Sequence, residues 1–212
     1  MGWHDITDNM VSSLNTVLHK YDITTIERIR HFMTQCMHET NKGLWLTEKS
    51  FQTTIPEEDW FNENKNYGYL YRGAGYIHLT RKWAYQAFAT YMIREAFPEL
   101  NIQWRSPSNT DAETLEMLFN DAVKIAQENN HDVDQYIRIV TEGANYVAKK
   151  FAWDTSGYFW SSVNNLNSIV DTLRPANYND VDRVTDVVNK DDSSSGREAR
   201  RELYIETLDI II

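Results

Sequence analysis

Apolar side chains recur every three or four residues along most of this chain, a period that only helices satisfy. The stripe is sharpest at Ile26, Ile29, Phe32, Met33, Cys36 and Met37, which share one helix face. Thr24, with Glu27 three residues on, predicts a capping box at its start, and Gly43 a stop soon after its end. Before it, residues 3–20 place Met10, Val11, Leu14, Val17 and Leu18 on one face. The period returns over residues 81–97, closed by Pro98, and over 111–129, where Leu115, Leu118, Phe119, Ala122, Ile125 and Ala126 align. Further helices are predicted over 133–151, 156–170, 181–188 and 197–208. Residues 44–80 break the pattern. There Trp45, Phe51, Trp60, Phe61, Tyr67, Tyr69 and Tyr71 sit among Asn, Gly and Pro56, which predicts loops and a short hairpin. The expected fold is mostly α with a small irregular lobe, one domain over residues 1–212.

Composition removes several function classes. A net charge of −10 and a pI near 5.0 argue against nucleic acid as a partner, since tracking phosphates takes clustered Lys and Arg. The single Cys36 excludes an intrachain disulfide framework and any Cys-based zinc finger. No run approaches the ~20 apolar residues of a membrane span, and the Ile210-Ile211-Ile212 tail is too short to insert. Residues 1–10 carry Asp5 and Asp8 and no apolar run, so the expectation is synthesis in the cytoplasm without a signal peptide. Seven Trp, twelve Tyr and eight Phe suit a large core, and equally a core plus a groove for flat, polyhydroxylated ligands.

The sharpest chemical feature is His38-Glu39 at the end of the best-defined helix. Ile29, Phe32 and Cys36 precede Glu39 by ten, seven and three residues, which puts Glu39 at the edge of the apolar stripe. Partial desolvation and the negative end of the helix dipole both favour a protonated carboxyl, the state a general acid for glycosidic cleavage needs. The plain alternative is a Glu at a fraying helix end. Glu48 follows nine residues later, across a turn that Gly43 permits, and two carboxylates in unlike environments are the minimum for glycoside hydrolysis. Glu57, Glu58 and Asp59 are alternative second carboxylates, although a run of three also fits a solvated loop. Other templates fail. Lys42 stands where a zinc-protease helix has its second His, and His78 where a dinucleotide loop has Gly. The six His show no ligand spacing, and Cys36 sits on the packing stripe.

Four blocks in order carry a family resemblance. Phe32-Met33-Thr34-Gln35-Cys36-Met37-His38-Glu39-Thr40 resembles the "FLAQ-x-x-HE-[ST]" helix of family-19 glycoside hydrolases, the chitinases and chitinase-like phage endolysins of the lysozyme-like superfamily. Tyr71-Arg72-Gly73-Ala74-Gly75-Tyr76-Ile77-His78-Leu79-Thr80, then Trp83-Ala84-Tyr85, resembles "YRGRGYIQLTGRxNY". Ser156-Gly157-Tyr158-Phe159-Trp160 resembles "SAxWFW", and Val184-Thr185-Asp186-Val187-Val188-Asn189 with Arg200 and Tyr204 resembles "VTxxINGG…R…Y". The resemblance implies a lysozyme-like, two-lobed helical fold with residues 99–150 as a divergent helical insertion. It implies Glu39 as general acid, Glu48 as general base of an inverting mechanism, and Thr80 as the hydroxyl that holds the attacking water. An inverting pair is expected at roughly 6.5–9.5 Å. Tyr71 matches a cleft aromatic, Asn189 and Arg200 match positions that line the sugar cleft or support the acid, and His38 is a structural neighbour of the acid. The candidate substrate-binding set is Tyr71, His78, Trp83, Asn189 and Arg200. No metal or cofactor is required.

The departures bear on the substrate. Ala74 replaces an Arg, His78 a substrate-contacting Gln, Ala84 an Asn, and Lys190-Asp191 two Gly. Loss of two amides argues against ordinary chitin recognition. The expected function is therefore hydrolysis of peptidoglycan glycan strands, of endolysin type. A chitinase, an inactive carbohydrate-binding domain on the same scaffold and a lytic transglycosylase stand as alternatives. The expected partner is a polysaccharide, with neither nucleic acid nor membrane insertion. Access to the wall would follow lysis or use a delivery or targeting partner, and Arg72, Arg81, Lys82 and Arg200 are candidates for local basic charge against an anionic wall.

Overall fold

The computed structural model describes residues 6–51 and 53–211; residues 3–5 of the first predicted helix and Ile212 of the apolar tail lie outside the described residues. The described chain is mostly helical. In order it forms α1 (Asp8–Lys20), α2 (Ile26–Glu39), α3 (Glu57–Asn64), α4 (Lys82–Ala96), α5 (Ala112–Glu128), α6 (Asp134–Thr141), α7 (Gly143–Lys150), α8 (Ala152–Gly157), α9 (Leu166–Val170), α10 (Val181–Val188) and α11 (Ser194–Ile210). Two compact units divide them: residues 6–46 with 153–211, and Thr47–Ala152. No helix among the described residues is long and apolar enough to cross a membrane.

In the first unit α2 packs on α9, α10 and α11. Thr25, not Thr24, caps it: the Thr25 hydroxyl accepts the Arg28 N–H at 3.3 Å. Glu27 does not close a capping box. It accepts instead from Arg30 and from the Tyr204 hydroxyl, because α11 lies alongside and offers a stronger donor. Phe32 and Cys36 are fully buried, and Phe32 meets Trp160 edge-on at 5.3 Å. Neighbours on several sides bury the polar positions as well: His31, Thr34 and Gln35 have no exposed surface. Burial pushes the His31 imidazole down to about 4, so a neutral ring stacks on Tyr204 at 4.7 Å. The helix stops at Thr40, whose hydroxyl donates to the Cys36 carbonyl at 2.7 Å and accepts the Gly43 N–H at 2.9 Å. The predicted helix over 156–170 is broken into α8, a π-helical turn (Tyr158–Val163) and α9, with Asn165 left-handed between them. That break accompanies a side-chain tie: the Trp160 indole donates to Asn167 at 2.8 Å, and the Asn167 amide donates to the Tyr21 carbonyl at 2.9 Å.

In the second unit α4 is buried from Ala84 to Tyr91 and at Ile93, and packs on α5 and α6. Ala84, Ala87 and Ala89 allow close approach, while Tyr85, Phe88 and Ile93 fill the space between. Asp111 caps α5 by accepting the Thr114 N–H at 2.8 Å. Residues 47–80, predicted as loops and a hairpin, contain α3. Glu57, Glu58 and Asp59 fill its first turn, where negative charge opposes the helix dipole, so the acidic run starts a helix rather than lining a solvated loop. In place of a hairpin the described residues show isolated antiparallel bridges, Thr47 with Ala74 and Ala74 with Leu79.

The predicted helix over 133–151 splits into α6 and α7 at Gly143, which has φ +59°. The Leu70 carbonyl reaches in here and accepts the Ala144 N–H at 2.8 Å, and a Cβ on Gly143 would lie 2.1 Å from that oxygen. Gly143→Ala combines a strained φ with a backbone clash and should cost about 2–3 kcal/mol. A urea titration checks this, and a loss below about 0.5 kcal/mol, the scale of an ordinary surface change, would contradict it.

Candidate active site

Glu39 is the last residue of α2, with its side chain 17% exposed. Arg200, projecting from α11, is buried beneath it. The guanidinium spends its donors on three acceptors. Nη2 reaches Glu39 Oε1 at 2.5 Å, Nη1 reaches Gln35 Oε1 at 2.6 Å, and Nε reaches Asp192 Oδ2 at 2.8 Å. Gln35 lies one turn before Glu39 on the same helix face, and its amide also approaches the Thr185 hydroxyl at 3.4 Å. His38 Nε2 stands 3.8 Å from the same Asp192 oxygen. Burial and the Arg200 charge hold the His38 imidazole below its usual range, against the pull of Glu39 and Asp192. Asn189, exposed at the end of α10, accepts the Asp192 N–H at 3.1 Å through its carbonyl and so turns the chain into α11. Enclosed in this way, the Arg200 guanidinium presents no open face to a ligand and serves to hold Glu39, Gln35 and Asp192. Burial also pushes the Cys36 thiol up, consistent with a packing residue.

Glu48 lies in the second unit and has its own support. Its backbone N–H donates to the Gly73 carbonyl at 2.8 Å, and the Gly73 N–H donates to Glu48 Oε2 at 3.1 Å. The Tyr67 hydroxyl donates to the carboxylate, 2.9 and 3.0 Å from its two oxygens. Burial and this acceptor push the Tyr67 phenol up, keeping it a donor. Gly73 has no room for a side chain: a Cβ would lie 2.8 Å from His78 Cβ and 3.3 Å from Glu48 Cβ. Ala74 is fully buried between its two bridges.

Tyr71, His78, Thr80 and Trp83 also belong to the second unit, all part-buried. Tyr71 meets the Tyr85 ring at 5.6 Å, and the Tyr85 hydroxyl donates to the Arg72 carbonyl at 2.6 Å. Arg72 is a packed strut, with its guanidinium 3.6 Å over the Tyr69 ring and donating to Asn145 at 2.8 Å. The Thr80 hydroxyl donates to the His78 carbonyl at 2.7 Å, leaving its lone pairs to accept from a water. On either side of Thr80 the backbone is left-handed without glycine, at His78 (φ +38°) and Arg81 (φ +82°), a form of strain concentrated at functional sites.

Three supporting residues escape the sequence reading. Gln35 was legible in principle, being four residues before Glu39 on one face. Asp192 and Tyr67 carry no local signal. Among the described residues no group of three or more His, Cys, Asp or Glu gathers as a metal site. Comparisons of this chain with protein-family models, with curated proteins and with solved structures find no match.

Proposed function

We propose that this chain is a cell-wall glycan-strand hydrolase of endolysin type, on a lysozyme-like helical fold, that cleaves β-1,4 bonds of peptidoglycan by inverting acid/base catalysis. Glu39 protonates the glycosidic oxygen as the bond to the anomeric carbon breaks. Glu48 takes a proton from the attacking water, and Thr80 accepts a hydrogen bond from that water. The observation that carries the reading is the buried Arg200 clasping the part-exposed Glu39: a carboxylate at a merely fraying helix end has no such support. Gln35 and Asp192 hold the same guanidinium, so its placement does not rest on Glu39 alone. The enzyme would reach its polysaccharide after lysis or through a delivery partner.

A binding domain on the same scaffold is the second reading, favoured by the buried Ala84, which leaves no amide where the resemblance places one. Release of soluble reducing ends from purified peptidoglycan and from colloidal chitin tests both. Peptidoglycan release supports the proposal, release from chitin alone makes the chain a chitinase, and silence on both by the folded protein, with no anhydro product formed, leaves the binding domain. Glu48→Gln should cost about 10²-fold in rate, the lower end of a general base's contribution. Full activity in that variant with anhydro products would instead identify a lytic transglycosylase, which needs only one acid/base Glu.

A further inference from the structure

Residues 101–104 of the second unit, which begin at the left-handed Asn101 (φ +50°), join α4 to α5 with a cavity on each side. One, about 450 Å³, is lined by Arg94, Glu95, Pro98 and the segment Asn101, Ile102, Gln103 and Trp104. The other, about 260 Å³, lies between the same Asn101–Gln103 ridge and Leu118, Asp121, Lys124 and Ile125 of α5. Ile102 turns inward and is buried, while Asn101 and Gln103 stand exposed on the ridge. Trp104 is held rigidly. Its indole N–H donates to the Ala87 carbonyl at 3.0 Å, its ring meets Tyr91 at 5.6 Å, and the Arg94 guanidinium lies 5.9 Å from its centroid.

We propose that this ridge is an accessory binding site for a β-1,4-linked N-acetylamino-sugar chain, separate from the Glu39 and Glu48 clusters. The argument is chemical. The larger cavity is in the size range of small-ligand sites but is walled mainly by polar groups, which disfavours an apolar ligand. Each of the two exposed amides gives one hydrogen to a nearby carbonyl (Asn101 to Glu99, Gln103 to Asn101, both 3.3 Å) and keeps a second donor and an acceptor, which is what sugar hydroxyls and acetamides require. A fixed indole supplies the flat apolar wall for a sugar face. Arg94 and Glu95 balance in charge, so the larger cavity does not select an anion. A cavity on each side of one ridge suits a chain of several sugars rather than a monosaccharide. From the hydrolase reading the site takes only its class of polymer.

The test uses full-length Glu39→Gln, so that hydrolysis cannot obscure binding, with and without Asn101→Gly and Gln103→Ala. Both ridge positions are exposed, and glycine keeps the left-handed backbone of position 101 (φ +50°), so the fold should tolerate them. Co-sedimentation with purified peptidoglycan should weaken about ten-fold, as loss of two contacting side chains at a small site predicts. The N-acetylglucosamine tetramer should shift the Trp104 indole resonance, assigned with Trp104→Phe. Unchanged sedimentation of the ridge variant, or a tetramer that leaves that resonance still, overturns the proposal. Weakened binding alongside a wild type that cleaves neither substrate would keep this site and remove the hydrolase.

Discussion

Glu39→Gln should reduce reducing-end release from peptidoglycan by about 10³–10⁴-fold, the upper range for removal of a general acid. The amide keeps the shape of the carboxyl and can still accept from Arg200 Nη2, but it has no proton to give the leaving oxygen. The fold should therefore persist. Arg200 retains Asp192 as an anionic partner and Gln35 as a neutral one, so the melting temperature should move by only a few degrees, as for a change of about 1 kcal/mol. The decisive pattern is lost turnover with near-native melting. Wild-type turnover in Glu39→Gln would remove this residue from the mechanism, and a collapsed melting temperature would mark the carboxylate as structural.

Arg200→Ala should be the most damaging single change to stability, at about 3–5 kcal/mol, the cost of breaking a buried ion pair and stranding its partners. It would leave Glu39, Asp192 and Gln35 each short of a donor, with Gln35 fully buried. A loss of that size is a large fraction of a typical domain's stability. Arg200→Lys should recover only part of it. A single ammonium restores the charge but not the planar fork that serves three directions at once. Urea midpoints of the two variants check the ordering, and equal stability of Arg200→Ala and the wild type would show that solvent reaches the cluster.

The helices were legible because their determinants are near neighbours. The Ile26–Met37 stripe and the Leu115–Ala126 stripe mark α2 and α5 within a few residues of their ends, and Pro98 marks the end of α4. The errors have local and distant causes. Thr24 and Thr25 are equivalent in composition, and only the Arg28 N–H chooses between them. The acidic run at 57–59 fits a solvated loop and a helix start equally by charge. The split at Gly143 answers to Leu70, and the split at Asn165 to Asn167, which ties Trp160 to the Tyr21 carbonyl; Leu70 and Tyr21 both lie far outside any local window.

The candidate site divides along the same line. Sequence alone determined that this chain is mostly helical, that a long apolar stripe ends at Glu39, and that Glu48 follows after a turn, because period and capping depend on residues three or four apart. Tertiary structure alone decided what those carboxylates meet. Arg200 stands 161 positions from Glu39 and Tyr67 stands 19 from Glu48. Burial turned each into a partner, since a donor enclosed without water must find an acceptor in the protein, and the folded chain offers it only a few.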